Sequence, residues 1–265
     1  IIDSSILKIA LEYTKTFGGR VISFCQDEFL SQNGVINESI VSTELGLKGI
    51  PDISESINIY RDIQILNYIN GKLHIPYVNT KSGVELIRDA KKRNLDITAS
   101  TSLPHIIFSD KDVKDFNTNF KINPPLRSEI DCKSVKEGLI DGTIDFLTSM
   151  HEPLDLDNKK VVFDLASPGS IGLESVFGNM CNNFTLEKTI DILTRNKSIF
   201  EIEDHPIEKG SFADLTLFNP DKSYEFSNEH ILSTSKNCAY LGSKLKGIVY
   251  GSINNNNSTL NSLWT

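Results

Sequence analysis

Cysteine is scarce in this 265-residue chain, and the four present (Cys25, Cys132, Cys181 and Cys238) stand far apart with no C-x-x-C pair. That spacing fits neither a structural zinc site nor a compact disulfide framework, and reduced thiols in a cytoplasm are the expectation. No apolar run approaches the roughly 18–20 residues of a membrane span, and no charged-then-apolar leader opens the chain, which begins at Ile1. Basic side chains are in deficit: 27 Lys and Arg stand against 35 Asp and Glu, a formal net charge of −8. Phosphate binding needs a concentrated basic surface, so this balance argues against a nucleic-acid partner. Lys91-Lys92-Arg93 reads as the wet end of a helix. Also missing are H-x-H, H-E-x-x-H, G-x-S-x-G, G-x-G-x-x-G and a Walker loop. Phe17-Gly18-Gly19 is most simply a helix C-cap.

What is present is an alternation. Ser4–Thr16 carries a helical apolar stripe, and Val21–Cys25 is a short apolar strand after Gly18-Gly19. Ser54–Asn67 reads as helix, Lys72–Val78 as strand despite Pro76, Lys81–Arg93 as helix and Leu95–Ser100 as strand. Lys133–Ile140 is a helix closed by Asp141-Gly142, and Thr143–Ser149 is the next strand. Four strands alternating with helices mark a parallel β/α architecture, whose function lies in the loops after the strands. The loops around Phe24, Tyr77, Ser100 and Met150 are therefore the places to look. From about Ile202 the pattern turns β-rich, through Ala213–Phe218 and Leu245–Tyr250, and Asn254–Asn257 reads as a solvated turn. The expected organisation is a β/α unit over 1–200 and a β unit over 201–265.

Of five histidines, His151 ranks first as a functional residue because it follows the Thr143–Ser149 strand, with Glu152 and Asp155 as neighbouring carboxylates. The simpler reading of the residues alone is a polar loop with a capping histidine. Asn123-Pro124-Pro125-Leu126-Arg127 is a loop whose prolines would hold Asn123 and Arg127 toward a ligand.

Several segments in register resemble the bacterial dihydroorotase family. These are Lys121–Arg127, Glu137–Asp145, Gly172-Leu173-Glu174 after Pro168-Gly169, and Lys209–Leu215. The weaker run Asn33-Gly34, Gly46–Pro51, Glu55 and Arg61-Asp62 lies in the expected order. The resemblance implies an amidohydrolase fold: a distorted (β/α)₈ barrel of the TIM type with a small β-sandwich built from both chain ends. It also implies zinc and the reversible closure of carbamoyl-aspartate to dihydroorotate in pyrimidine synthesis. The chain matches the second half of that barrel. The first four strands, with an H-x-H and the metal-bridging residue, lie outside these 265 residues, so the expectation is part of a longer, cleaved or incompletely represented polypeptide.

The motifs depart from the family at its chemistry. Where the resemblance implies a fifth-strand H-C-E-D, the chain has Phe24-Cys25-Gln26-Asp27, so Phe24 stands at a zinc-ligand position. In His74–Thr80 the ligand position holds Tyr77, and His74 is not that position. The eighth-strand D-H-A-P-H reads Met150-His151-Glu152-Pro153-Leu154. The catalytic aspartate is thus Met150, and a substrate-binding histidine is Leu154. Asn123 and the Pro168-Gly169 turn survive as the implied substrate contacts.

Phenylalanine offers no lone pair, methionine accepts no proton from an attacking water, and a catalytic zinc needs about three protein ligands. The expectation is a dihydroorotase-like protein without zinc or hydrolase activity. It would be a homodimer and a companion of aspartate carbamoyltransferase. The alternative is an active enzyme with an altered metal site that uses His151, Glu152 or Asp155. A further expectation is that Phe24, Tyr77, Met150 and Leu154 approach one another as a mostly apolar plug.

Overall fold

The computed structural model describes residues 3–203 and 205–260. The chain runs α1 (Ser4–Lys15), β1 (Val21–Ile22), α2 (Glu28–Ser31), β2 (Ile36–Asn37), α3 (Ile40–Leu45) and β3 (Gly49–Ile50). It continues through α4 (Ile53–Ile69), β4 (Leu73–Ile75), α5 (Lys81–Lys92), β5 (Ile97–Ser102), α6 (Leu103–Ile107), α7 (Glu129–Asp141) and β6 (Phe146–Thr148). Helices α8 (Val176–Asn183) and α9 (Leu186–Thr194) precede the strands β7 (Asp214–Glu225), β8 (Lys244–Asn254) and β9 (Asn257–Leu260).

The main sheet has the order β1-β4-β5-β6, all neighbours parallel. Strand β5 is buried along its whole length, as a strand covered on both faces must be. Local chemistry sets the helix ends. Asp3 accepts the Ser5 N–H to open α1, Thr80 accepts the Gly83 N–H to open α5, and Ser128 and Asp131 form a capping box on α7. Gly142, at φ +82°, ends α7 in the left-handed conformation that glycine adopts without strain. Leu7 and Leu11 of α1 are fully buried, and the helix packs against α4.

The strands differ in extent from the sequence expectation. The one expected over Lys72–Val78 stops at Ile75, because Pro76 has no N–H to give a ladder and Tyr77 is left-handed at φ +58°. A separate two-stranded parallel pair, β2-β3, was not foreseen, nor were α8 and α9. In the terminal segment β7, β8 and β9 form an antiparallel sheet, with register shifts in β7 around Asn219. Asn254–Asn257 makes the β8–β9 turn, with Asn255 at φ +52°. Of the 201–265 segment, Asp204 and residues 261–265 lie outside the described residues. No helix among the described residues is long and apolar enough to cross a membrane.

Behind the strand ends lies a buried polar network centred on Arg127, which is 1% exposed. Its Nη1 donates to Asn37 Oδ1 at 2.9 Å and to the Ile50 carbonyl at 2.7 Å, and its Nε donates to Asn79 Oδ1 at 3.2 Å. Asn37 Nδ2 in turn donates to Asp110. Glu55 accepts the backbone N–H groups of Asn79 and Thr80 and the Thr80 hydroxyl at 2.7 Å. Arg127 is thus turned inward as a brace, whereas the sequence suggested a residue held toward a ligand. Burial pushes the Glu55 carboxyl up to about 7, against the opposing pull of the Arg127 charge and the donated hydrogen bonds.

Two outcomes follow from this network. Arg127→Met should cost about 3–5 kcal/mol of stability, because carboxylates and amides are left buried without their cation. Chemical denaturation of the full-length polypeptide checks it, and a loss within about 0.5 kcal/mol would show that the brace carries no load. Glu55 has a folded-state value near 7, above the usual 4.5. The folded state therefore holds a proton that the unfolded chain releases, and the stability tied to this group is lost as pH rises from about 4.5 through about 7. Relative to Glu55→Gln, the unaltered protein should lose stability over that window; parallel pH curves would refute the assignment.

Candidate functional site at the strand ends

The carboxyl ends of β1, β4, β5 and β6 deliver Phe24, Tyr77, Ser102 and Met150 to one side of the main sheet. The Phe24 and Tyr77 rings form an edge-to-face pair, with centroids 6.3 Å apart and planes at 75°. Tyr77 also packs against a small apolar cluster that contains Met150, Ile36, Val113, Ile122, Leu126 and Phe163. Met150 is 4% exposed, and its sulfur lies 3.2 Å from the Ser102 hydroxyl oxygen. Phe24 is 36% exposed and faces outward. Both Tyr77 and Met150 have left-handed backbones, at φ +58° and +50°. Such φ values are uncommon outside glycine and gather at functional sites.

Leu154 is half-buried, and its backbone N–H donates to Asn237 Oδ1. A side chain on Gly169 would meet Leu154 Cδ1 at 3.0 Å and Glu152 Oε2 at 3.2 Å, so glycine lets the Pro168-Gly169 turn close over this loop. Asn237 Nδ2 holds the two segments together through the carbonyls of Glu152 and Gly169. Pro168 is exposed, and so is Asn123, whose neighbour Lys121 accepts the Gly169 N–H at 2.8 Å. Of the expected plug, Phe24 pairs with Tyr77 and Tyr77 packs on the cluster that holds Met150, but Phe24 is exposed and outside that cluster, and Leu154 lies against the glycine turn.

His151 turns away from this group. Its Nδ1 accepts the Leu173 N–H at 3.2 Å and stands 3.9 Å from Glu174. With Nδ1 accepting, the neutral ring carries its proton on Nε2 and has no second lone pair to offer. Asp155 is exposed and precedes a short helical turn without capping it through its side chain. His74 is buried between Thr98 and Ser100, stacks on Phe146, and is pulled down to about 4 by burial, so it is a neutral packing residue. Burial, and then the Glu152 carboxylate, raise the Tyr77 phenol above its ordinary value, so Tyr77 is a neutral hydroxyl.

One buried pair escaped the sequence reading. Ser102 Oγ lies 2.6 Å from His105 Nδ1, and His105 Nε2 is 3.0 Å from the Pro124 carbonyl. A serine and histidine flanking a strand end were the available signal. Both residues are buried and burial pulls His105 down to about 4, so the pair ties β5 to the 121–127 loop and does not activate a nucleophile.

The zinc implied by the resemblance does not fit the donors present. Phe24 has none, Tyr77 is un-ionised, and Met150 offers a thioether in place of the thiolate, imidazole or carboxylate that zinc takes. Among the described residues no group of three or more His, Cys, Asp and Glu side chains is placed to hold a metal.

No protein-family model matches the chain. The dihydroorotase of Endomicrobium trichonymphae is 42% identical over 255 residues, covering 93% of this chain and 60% of that protein. The dihydroorotase of Acetivibrio thermocellus is 39% identical over 262 residues, covering 96% and 62%. The chain therefore spans about three-fifths of the length of the curated relatives it matches. Among solved structures, a D-hydantoinase superposes with a TM-score of 0.82 at 19% identity, covering 97% of this chain and 60% of that one. The L-hydantoinase (dihydropyrimidinase) of Arthrobacter aurescens gives 0.82 at 18% identity, covering 98% and 61%. At such identities the match is one of fold: part of a parallel β/α barrel with a β-sheet segment after it. Over the part of those proteins that it spans, this chain is similar in sequence to the dihydroorotases and in fold to the hydantoinases.

Proposed function

We propose that this chain forms part of a dihydroorotase-like protein that does not carry out zinc-dependent ring closure and serves pyrimidine synthesis as a non-catalytic companion. The observation that carries this reading is the Phe24–Tyr77 ring pair beside the buried Met150 thioether, at the positions where the family motifs place two ligands and the general base. In the hydrolytic direction a water must lose a proton as it attacks the ring carbonyl, and a thioether accepts none. Removing such a base alone typically costs about 10² to 10⁴ in rate. Leu154 further withdraws an implied substrate contact. His151, the surrogate in the competing reading, gives its Nδ1 to the Leu173 N–H.

The barrel unit (1–200) and the β unit (201–265) are proposed as the two structural divisions of the chain, with a cytoplasmic location, a homodimeric state and aspartate carbamoyltransferase as partner. The strand-end substitutions leave the capping and turn residues intact: Asn70, Gly142 and Gly169 keep positive φ at their turns. A scaffold needs those turns and not the chemistry.

For full-length protein, metal analysis should give substoichiometric zinc, with dihydroorotate hydrolysis and carbamoyl-aspartate cyclisation both at the buffer rate. One zinc per chain together with turnover that disappears in His151→Ala would overturn the proposal and establish an altered metal site. Purification from the native host should recover carbamoyltransferase with this protein, through an interface of more than about 1,000 Å². Recovery of a homodimer alone, with carbamoyltransferase activity unchanged by its removal, would refute the companion role.

A further inference from the structure

Helix α4 distributes its polarity against the usual rule for a surface helix. Its buried face carries Ser54, Glu55, Asn58 and Asp62 beside Ile59, Ile63, Leu66 and Ile69. These polar groups serve the interior: the Ser23 hydroxyl donates to Asp62 at 2.6 Å, and Glu55 holds the backbone of Asn79 and Thr80. The outer face has no charge over about four turns. Ile53, Ile57, Tyr60, Gln64, Asn67 and Tyr68 are all exposed, and helical geometry gathers them into an arc about 100° wide. Tyr60 is 56% and Tyr68 78% exposed. The neighbouring α5 follows the rule, with Lys81, Glu85, Asp89 and Lys92 turned outward.

This exposure does not come from the share of the relatives that the chain leaves unmatched. Helix α4 packs between α1 and α5 and against the sheet. A barrel closes strand to strand, here at the sheet edges β1 and β6, and its helices form the outer ring. The outward side of a helix flanked on both sides stays outward when that ring is complete.

Grooves border the stripe. Ile57 and Tyr60 face Leu86 and Asp89 of α5 across one of about 540 Å³, and Gln64 and Tyr68 share another of about 360 Å³ with Ser5 and Lys8 of α1. A helix of 17 residues is about 25 Å long, and its two grooves make the face about 20 Å wide, or about 500 Å² per copy. Two copies together bury about 1,000 Å², the area at which specific interfaces begin. Charge selects the occupant. The bordering ions pair within the chain, as Lys8–Glu12, Lys81–Glu85 and Arg93–Asp89. A charged partner finds no countercharge on the stripe, whereas an uncharged face meets a copy of itself without repulsion, as a two-fold interface requires.

We propose that the outer face of α4, from Ile53 to Tyr68, is the surface on which a second copy of this chain docks, α4 against α4 about a two-fold axis. The inference gives the homodimer of the proposed function its surface and rests on that part of the reading.

The test follows full-length protein by sedimentation equilibrium over a concentration series. Tyr60→Lys and Gln64→Lys each set like charges face to face across the axis, and each should raise the dimer dissociation constant at least about tenfold. Ile130 of α7 is 67% exposed, and Ile130→Lys should leave the constant unchanged. Circular dichroism confirms that each variant folds, and Gln64→Lys, which exchanges one exposed polar side chain for another, carries the test if Tyr60→Lys does not fold. A dimer unmoved by both substitutions overturns the inference and leaves the homodimer standing on another surface. A monomer at every concentration overturns both. A dimer that stays intact in Tyr60→Lys while carbamoyltransferase no longer co-purifies assigns the face to that partner and overturns the inference. Zinc content, measured on the same preparations, bears on the non-catalytic reading alone.

Discussion

A buried guanidinium is the constraint on which the rest of this structure depends. Arg127 leaves the 121–127 loop, enters the protein and meets Asn37 of β2, the Ile50 carbonyl of β3 and Asn79 beyond β4. One side chain thereby joins the β2-β3 pair to the segment after β4, with which it shares no ladder. Charge removed from water is tolerated only where its hydrogen bonds are met, so each acceptor has to stand in one place. Glu55 extends the same demand into α4 through Thr80 and Asn79. The strand-end loops are therefore positioned from behind, by polar atoms that never reach the mouth.

That arrangement explains why the mouth can change its chemistry without losing its shape. The side chains that differ from the family motifs, Phe24, Tyr77, Met150 and Leu154, take no part in the Arg127 network. They settle on other supports: an aromatic pair, an apolar cluster and a glycine turn. An empty cluster of imidazoles and carboxylates would have been expensive to bury, whereas apolar side chains in the same space pack at little cost. Two lysines complete the enclosure. Lys121 and Lys159 donate their ammonium groups to backbone carbonyls of the 163–167 region and of Lys121 itself, so they fasten the loop after β6.

Much of the barrel was legible from periodicity. The helices α1, α4, α5 and α7 lie where apolar spacing and caps placed them, because those signals are local. Strand limits were less legible: Pro76 was read through, although its missing N–H ends β4 at Ile75. The β2-β3 pair escaped because two-residue strands carry no periodicity. At the site, motif register brought Phe24, Tyr77 and Met150 to attention; Phe24 pairs with Tyr77, and Tyr77 packs on the cluster that holds Met150. What the residues could not announce was direction. Nothing local says that Arg127 turns inward or that His151 turns to Leu173, since both choices are made by acceptors distant in sequence.

The left-handed turns at Tyr77 and Met150 bear on how such a site can drift. A β-branched residue at either position would clash with its own backbone, while asparagine, aspartate and histidine are the side chains that tolerate this conformation best after glycine. The main chain thus filters substitutions by shape before chemistry has any say, and it rejects valine, isoleucine and threonine whatever the pocket requires. Donor-bearing residues are among those it accepts most easily. A change to asparagine, aspartate or histidine therefore runs downhill in backbone strain at these two positions, so the fold itself leaves the mouth open to polar chemistry.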